Sequence, residues 1–252
     1  MSYAILLYHC LEDRRRSARH MDAIDREYVL DRARFEAHIQ YLAAKPPSSV
    51  RAVISFDDGD LSCHTIAAPI LETHGLRGEF FVVTGWIGQP GFMTGDQLRD
   101  LARRGHGVHS HSRTHRRLTA LTPAQIDDEL RGSKDDLEAA LGQAVTQFSI
   151  PGGAYDSRVV DIARSVGYQT VMNSVEGYND EAAAPFLLRR FTPRTYSEVS
   201  MLEAICERPG YTAARLALKR HALAVARAVM GRRYDHLRGK LVSRWSTRVR
   251  VD

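Results

Sequence analysis

Residues 51–60 read RAVISFDDGD, a stretch in which a short β-strand signal runs directly into three acidic residues and a glycine. Asp57 and Asp58 are adjacent, and two ionised carboxylates at contact distance raise each other's pKa, all the more when they are buried. A strand that ends in this way requires a compensating positive charge or a chemical task. The stretch therefore predicts a functional site at the C-terminal end of a buried strand.

The rest of the chain repeats the alternation of strand and helix that this stretch begins. Apolar residues at helical spacing, and helix starts such as Thr94 with Gln97 in a capping box, separate the strand signals. The predicted strands are AILLY (4–8), RAVISF (51–56), EFFVVT (79–84), GVHS (107–110), QFSI (147–150), YQTVMN (168–173) and FLLRRF (186–191). About seven such units favour a parallel β/α barrel over an open sheet. Residues 9–34 and 174–186 are predicted to be loops.

The composition is that of an ordinary globular protein. The 252 residues are 44% hydrophobic and 26% charged, which suits one large domain. Three cysteines at wide spacing predict no disulfide framework and fit a reducing compartment. The N-terminal MSYAILLYHC lacks the charged leader of a signal peptide, and no apolar run is long enough to span a bilayer. We therefore expect a cytoplasmic protein.

The net charge of +5 is concentrated near the C-terminus. Residues 211–252 contain eleven Lys and Arg but two Asp, whereas the preceding residues carry 24 basic and 28 acidic side chains. We predict one domain over residues 1–208 and a basic helical extension over 209–252. Residues 216–245 combine an apolar stripe with basic residues, which fits either peripheral contact with an anionic membrane or a helical pair packed on the barrel. Nucleic acid is the weaker partner, because stacking aromatics are few.

The sequence HSRTH places His111 and His115 four residues apart. Two such histidines share a face on one helical turn, which suits two ligands of one metal ion. In a β/α barrel the loops after the strands carry the site, so this pair, Asp57, Asp58 and the loop 151–153 converge on one rim. Two His and one Asp suit zinc and leave open positions, as catalytic metal sites do. One aspartate would bind the ion, and the other would accept a proton from water.

Four segments form a set of motifs: LLYHCL (6–11), SFDDGD (55–60), GHGVHSHSRTHRRL (105–118) and FSIPGGAYD (148–156). Together they resemble the polysaccharide deacetylase family, the NodB-homology group of carbohydrate esterases. The resemblance covers about residues 3–195 and implies a distorted β/α barrel that removes acetyl groups from sugars with one divalent metal ion, for which we expect Zn²⁺. Carried over by position, it implies that Asp57 is the catalytic base and that Asp58, His111 and His115 hold the metal.

The third of the family's motifs is altered in this chain. Ser149 stands near the place of an Arg that steadies the base in the family, and Pro151-Gly152-Gly153 replaces a Pro-Tyr-Gly sequence. We predict a substrate groove formed by Pro151, Gly152, Gly153, Tyr155 and Arg190. For Arg190 a second interpretation is open, in which it orients Asp57.

The family's late Leu-x-His motif, which supplies the general acid, is absent. FLLRRFTPR occupies that region instead. His9, at the end of the first strand, is our candidate for the catalytic acid; the alternative is a core histidine bonded to backbone.

The resemblance predicts a metal-dependent hydrolase that removes N-acetyl or O-acetyl groups from a sugar or glycan, with a lipid-linked precursor of a surface polysaccharide as one substrate. If the basic tail binds lipid, the protein lies at the inner membrane face. Two alternatives are a glycan-binding protein with impaired catalysis and a hydrolase of another non-peptide C–N bond.

Overall fold

A computed structural model describes residues 1–12, 25–44 and 50–230. The strands are β1 (Ser2–Tyr8), β2 (Cys10–Glu12), β3 (Val29–Asp31), β4 (Arg51–Phe56), β5 (Gly78–Val82), β6 (Gly107–Ser110), β7 (Gln147–Ser149), β8 (Thr170–Met172), β9 (Asn179–Asp180) and β10 (Leu187–Leu188). The helices are α1 (Arg32–Ala44), α2 (Ala68–Thr73), α3 (Gly95–Arg103), α4 (Pro123–Leu141), α5 (Ser157–Val166), α6 (Val199–Glu207) and α7 (Pro209–Met230). A π-helical turn, Cys63–Ala67, leads into α2.

The main sheet is the predicted barrel. Its strands lie in the order β10-β8-β7-β6-β5-β4-β1-β9, and every pair is parallel except that of β1 with β9. The seven parallel strands are the seven that the sequence predicts, each followed along the chain by a helix or a long loop. The fold prediction is therefore confirmed, with β9 as an additional eighth strand.

The barrel closes fully at one end only. Phe191, which follows β10, pairs with Leu6 of β1, and its backbone N–H donates to the carbonyl oxygen of Ile5 at 2.8 Å. Near the other end of β1, Ser2 and Tyr3 pair instead with the antiparallel β9. The closed end is the one at which the parallel strands finish. The site loops therefore leave from the rim at which the first and last parallel strands meet.

Strand residues pack in two separate apolar layers because successive side chains point to opposite faces. The main core lies between the barrel wall and the helices; within it Phe56 and Phe80 stack with ring centroids 4.9 Å apart. A smaller cluster of Ile5, Phe81, Met172 and Leu188 comes from the other face of the strands. This smaller layer fills the inside of the barrel.

Two loop predictions are wrong, although several predicted helix ends are confirmed. Residues 9–34 contain β2 and β3, which form a small parallel sheet, and the start of α1; residues 13–24 lie outside the described residues. Residues 174–186 contain β9. These strands have two or three residues each, too few for a period-two pattern to register. Thr94 and Thr122 form the N-terminal capping boxes of α3 and α4, and Asp156 caps α5.

Helix α7 forms the described part of the basic extension. The Thr212 hydroxyl donates to the carbonyl oxygen of Ala204 in α6 at 2.7 Å, and Leu216 packs against the main core. The rest of the extension, residues 231–252, lies outside the described residues. Within residues 1–12, 25–44 and 50–230, no helix is both long and apolar enough to cross a membrane.

Candidate active site and metal centre

A cavity of about 600 Å³ lies at the end of the barrel where the parallel strands finish. It is lined by Leu7, His9, Tyr28, Asp57, Asp58, His111, His115, Gly152, Ser174, Val175, Glu176, Thr192, Arg194, Leu216, Lys219, Arg220 and Leu223. The two aspartates, the histidine pair and His9 come from three different strand ends, yet all of them reach this one cavity.

Asp58, His111 and His115 form a compact cluster of metal-ligand type. One side-chain ligand atom from each lies within 4.8 Å of the others. The Asp58 Oδ1 atom lies 3.4 Å from His111 Nε2 and 3.5 Å from His115 Nε2. Two imidazole nitrogens and one carboxylate oxygen at this separation fit a divalent cation such as zinc, with positions left open for water and substrate.

The orientation of His111 supports this fit. Its Nδ1–H donates to the carbonyl oxygen of Ser149 at 2.8 Å. In a neutral ring this bond leaves Nε2 unprotonated and directs its lone pair toward Asp58, which is the arrangement of a metal-ligating histidine. With no cation bound, a protonated His111 instead donates from Nε2 to Asp58. This bond and the nearby histidine charges outweigh burial, which alone would raise the pKa of Asp58, and hold that pKa well below its ordinary value.

The ligand loops adopt backbone conformations that are rare for side chains with a Cβ. Asp58, Ser112 and His115 have φ angles of 74°, 65° and 59°. Non-glycine residues seldom occupy this left-handed region, and such residues concentrate at functional sites. The Ser112 hydroxyl accepts a hydrogen bond from the His115 backbone N–H at 3.1 Å, which closes the turn between the two histidines.

A buried carboxylate on α4, that of Glu129, binds the loop that connects the two histidines. Glu129 accepts hydrogen bonds from the backbone N–H groups of Arg113 and Thr114, at 3.1 and 2.9 Å, and from the Thr114 hydroxyl. Gly85 donates its N–H to the Arg113 carbonyl oxygen at 2.8 Å. The segment between the histidines is therefore fixed from two sides. The sequence does not predict this role of Glu129, because no motif or residue spacing connects Glu129 with the histidine pair.

Asp57 has different partners from its neighbour. Arg190 Nη1 and Nη2 donate to its two carboxylate oxygens, each at 2.8 Å, and the Ser149 hydroxyl donates to Oδ2 at 2.9 Å. Burial alone would raise the pKa of Asp57, yet the charges of Arg190 and His111 outweigh it and lower that pKa. Asp57 is thus an ionised carboxylate next to the candidate metal ligands and is not one of the cluster.

Arg190 is fully buried and lies between Asp57 and the inside of the barrel. Besides Asp57, it donates from Nε to the carbonyl oxygen of Asn173 at 3.0 Å and from Nη2 to the Ser149 hydroxyl at 2.9 Å. It does not line the cavity. Of the two interpretations left open for Arg190, the contacts favour orientation of Asp57 over substrate binding.

His9 lies at the edge of the same cavity. Its ring packs on Tyr28 with centroids 4.7 Å apart, and its buried Nδ1 has no hydrogen-bond partner among the described residues. The alternative of a core histidine whose Nδ1 is bonded to backbone is thus not what the contacts describe. Burial lowers the pKa of His9, while the charges of Asp58 and Asp57 oppose that shift.

The remaining predicted groove residues are only partly brought to the cavity. Gly152 lines it, but Pro151 is buried. A Cβ on Gly153 would lie 2.4 Å from the Ser174 hydroxyl oxygen, so this glycine lets the two loops approach. Tyr155 has its side chain partly in solvent and is not among the cavity-lining residues. Tyr155 therefore lies apart from the other predicted site residues.

The fold and the site together define a NodB-like β/α barrel with a candidate metal centre at the ends of its strands. The chain belongs to the polysaccharide deacetylase family, whose sequence pattern matches residues 44–171. This match confirms the resemblance read from the motifs.

Several relatives and solved structures share this similarity. The YxkH protein of Bacillus subtilis (strain 168) is 29% identical over 155 residues, which cover 62% of this chain and 56% of that protein. A chitooligosaccharide deacetylase of Rhizobium leguminosarum bv. trifolii is 27% identical over 124 residues, covering 49% of this chain and 56% of the relative. The chain thus spans about half the length of the curated relatives it matches. The Streptococcus pyogenes deacetylase PplD in complex with acetate has the same fold, with a TM-score of 0.72 and 20% identity over 82% of this chain and 99% of that one.

Proposed function

We propose that this protein is a metal-dependent hydrolase that removes N-acetyl or O-acetyl groups from a sugar or glycan. The observation that carries the proposal is that the two adjacent aspartates have different partners. Asp58 belongs to the three-residue ligand cluster, whereas Asp57 lies outside it as an ionised carboxylate that can act as a base. A protein that only bound glycans would have little use for such a base.

The proposed reaction assigns a role to each of these side chains. Asp58, His111 and His115 would hold a divalent ion, with Zn²⁺ expected, which when bound would supply Lewis acidity toward the acetyl carbonyl and lower the pKa of a water molecule. Asp57 accepts the proton of the attacking water as its oxygen bonds to the carbonyl carbon. The C–N bond of the acetamide then breaks, the nitrogen gains a proton, and acetate and the free amine leave.

His9 is the proposed donor of that last proton. It lines the same cavity as Asp57, and its unpartnered Nδ1 leaves the ring free of a structural bond at that atom. Burial lowers the pKa of His9, so its protonated ring gives up a proton more readily than an exposed histidine does. Tyr28, which packs on the ring, keeps it in place.

Arg190 weakens the case for a glycan-binding protein without turnover. The loss of the Arg of the third motif would by itself favour that alternative. Arg190 provides a guanidinium on Asp57 from a different strand end, so the base retains its positively charged partner.

The test compares the two adjacent aspartates in the purified protein. Metal content and acetate release from a panel of N-acetylated sugars and glycans are measured for the wild type, Asp57→Asn and Asp58→Asn. We expect Asp57→Asn to retain the metal and lose about 10²- to 10⁴-fold in rate, and Asp58→Asn to lose the metal itself. Thermal unfolding of both variants checks that they fold. Unchanged activity in both would show that the site is wrongly identified.

We further propose that α7 contacts an anionic membrane at the cytoplasmic face, where the substrate is a lipid-linked precursor of a surface polysaccharide. Tyr211, Leu218 and Val225 lie seven residues apart on one side of α7 and are 63%, 70% and 48% exposed. Such a row of apolar side chains on a basic helix is typical of peripheral membrane helices. The eleven basic residues of the range 211–252 add attraction to anionic lipid.

Flotation with acidic liposomes tests the membrane proposal. Leu218→Ser combined with Val225→Ser should reduce the vesicle-bound fraction, whereas Tyr196→Ser, which alters an equally exposed aromatic residue away from α7, should not. Equal flotation of the wild type and the α7 variant would overturn this proposal and leave the deacetylase assignment intact.

A further inference from the structure

Three basic side chains line the cavity on the side formed by α7 and the loop after β10. They are Arg194, Lys219 and Arg220. None belongs to a deacetylase motif, and two of them come from the C-terminal extension rather than the barrel. The extension therefore contributes a wall to the proposed active site.

The partners of these cations are few and accessible to solvent. Lys219 Nζ pairs with Glu176 Oε2 at 2.9 Å, and the two side chains are 60% and 36% exposed. Arg220 donates to the carbonyl oxygen of the same Glu176 at 3.3 Å. Ion pairs with this exposure contribute at most about 1 kcal/mol, so an anionic ligand displaces them at small cost.

Arg194 lines the same cavity and is held more firmly. It pairs with Glu27, and its guanidinium carbon lies 5.5 Å from the centre of the Tyr28 ring. Because Tyr28 also packs on His9, the cation and the proposed acid are connected through one aromatic ring.

Within the described residues, Glu27 pairs with Arg194 and Glu176 with Lys219, whereas Arg220 contacts a backbone carbonyl oxygen and not a carboxylate. Asp57 is already neutralised by Arg190, which lies behind it, and Asp58 belongs to the ligand cluster. Among the residues that the structure describes, Glu176 is the one other carboxylate that lines the cavity. A neutral sugar offers hydroxyl groups, which need no cations, whereas guanidinium and ammonium groups match phosphate oxygens in charge and in hydrogen bonding.

We propose that the acetylated sugar carries a phosphate group, which Lys219 and Arg220 of α7 bind together with Arg194. This inference rests on the proposed deacetylase function and names the chemical class of its substrate. A phosphate ester is favoured over a carboxylate because it carries about −1.5 to −2 charges and three strong acceptor oxygens, enough for Lys219, Arg220 and Arg194 to share once the ligand displaces Glu176. Lipid-linked and nucleotide-linked sugars share this chemistry.

The first test measures binding without turnover. Glucosamine 1-phosphate and methyl glucosaminide, which have no acetyl group to lose, are titrated into the wild-type protein by calorimetry. We expect the phosphate compound to bind about tenfold or more tightly, with an advantage that shrinks as salt is added. An equal affinity for both compounds, or no binding of either, would overturn the proposal.

The second test uses variants of α7. Lys219→Gln combined with Arg220→Gln should remove most of the advantage in binding, whereas Arg215→Gln, on the same helix but not lining the cavity, should retain it. With N-acetylglucosamine 1-phosphate as the substrate, the double variant should raise KM about tenfold and change kcat little, because it removes binding and leaves the reacting groups in place.

Two further arms identify the source of the phosphate. A short-chain prenyl diphosphate sugar and a nucleoside diphosphate sugar are compared as competitors, and preferential binding of either supports the proposal and identifies its carrier. The experiments can contradict the deacetylase function and the phosphate inference independently of each other. If acetate is released equally well from neutral and phosphorylated sugars, the enzyme assignment stands and the phosphate site falls; if phosphate compounds bind tightly but no acetate is released, the reverse holds.

Discussion

Arg190 and Asp57, 133 residues apart in the chain, form a buried bidentate ion pair with both N–O distances at 2.8 Å. The pair links the end of β4 to the segment after β10, so it joins two strand ends across the closed rim of the barrel. It also fixes the carboxylate plane of Asp57, the proposed base. Stability and catalysis thus depend on the same contact.

Replacing Arg190 by methionine should destabilise the protein strongly. The substitution leaves the Asp57 charge buried without its partner, which costs about 3–5 kcal/mol in the free energy of unfolding. Urea denaturation at neutral pH measures this loss. Acetate release should fall as well, because Asp57 is no longer held in one orientation.

The double variant separates pairing from packing. Asp57→Asn with Arg190→Met removes both charges, so its loss of stability should be smaller than the sum of the two single losses. Additive losses would mean that Arg190 stabilises the barrel through its other contacts and not through Asp57.

Much of the barrel and of the ligand cluster could be predicted from the sequence because local signals define them. Buried strands read as apolar runs, and the histidine pair and the aspartates each follow a strand directly. These features need only the knowledge that strand ends share a rim.

The sequence left open whether Arg190 binds the substrate or orients Asp57. Arg189 and Arg190 are adjacent after β10, so the sequence alone does not show which of them points inward. Period-two alternation places Arg190 on the same side as Leu188, inside the barrel. This holds only if the extended conformation continues beyond the last paired residue of β10. The sequence also does not predict where α7 lies on the barrel. Its sequence is apolar and basic on several sides, so the pattern does not show which side covers the cavity.

Gly85→Ala should displace the loop that carries the histidines. A Cβ at this position would lie 2.6 Å from the backbone carbonyl oxygen of Arg113, so the loop must move. We expect a fall in melting temperature of several degrees, corresponding to about 1–3 kcal/mol, together with weaker metal binding. Thermal unfolding and metal titration measure the two effects.

Gly95→Ala is the matched control for that change. Gly95 is the first residue of α3, and the nearest atoms to an added Cβ belong to the flexible Arg99 side chain at 3.7 Å. This variant should keep its metal affinity and gain up to about 1 kcal/mol in stability. A similar loss in both variants would rule out the contact with Arg113 as the cause.

The stability of the protein in acid should depend on Glu72. Hydrogen bonds from Arg104, at 2.7 and 2.9 Å, lower the pKa of Glu72 from 4.5 to about 2. Because the folded state holds the proton less tightly than the unfolded state, this stabilisation is complete above pH 4.5 and is lost as the pH falls toward 2. Allowing for partial solvent exposure, the effect is about 1 kcal/mol.

Denaturation curves between these pH values test the dependence. Glu72→Gln should flatten the acid limb of the stability profile, and Arg104→Met should flatten it as well, because it removes this interaction together with the contact of Arg104 with Asp100. If Arg104→Met left the slope unchanged, the cause of the lowered pKa would lie elsewhere, with His106 as the other close partner of Glu72.

Glu129→Gln should weaken metal binding without touching a ligand. Glu129 accepts three hydrogen bonds from the segment between His111 and His115, and an amide in its place turns one acceptor oxygen into a donor that faces other donors. Loss of such supporting contacts costs about 10- to 100-fold in metal affinity. Asp127→Asn, two residues away on α4, is the control, because Asp127 pairs with Arg131 of the same helix and not with the histidine segment. Metal titration of both variants, with circular dichroism to confirm that the barrel is intact, distinguishes a positioning role from general stabilisation: only the first leaves the fold unchanged while the metal dissociation constant rises.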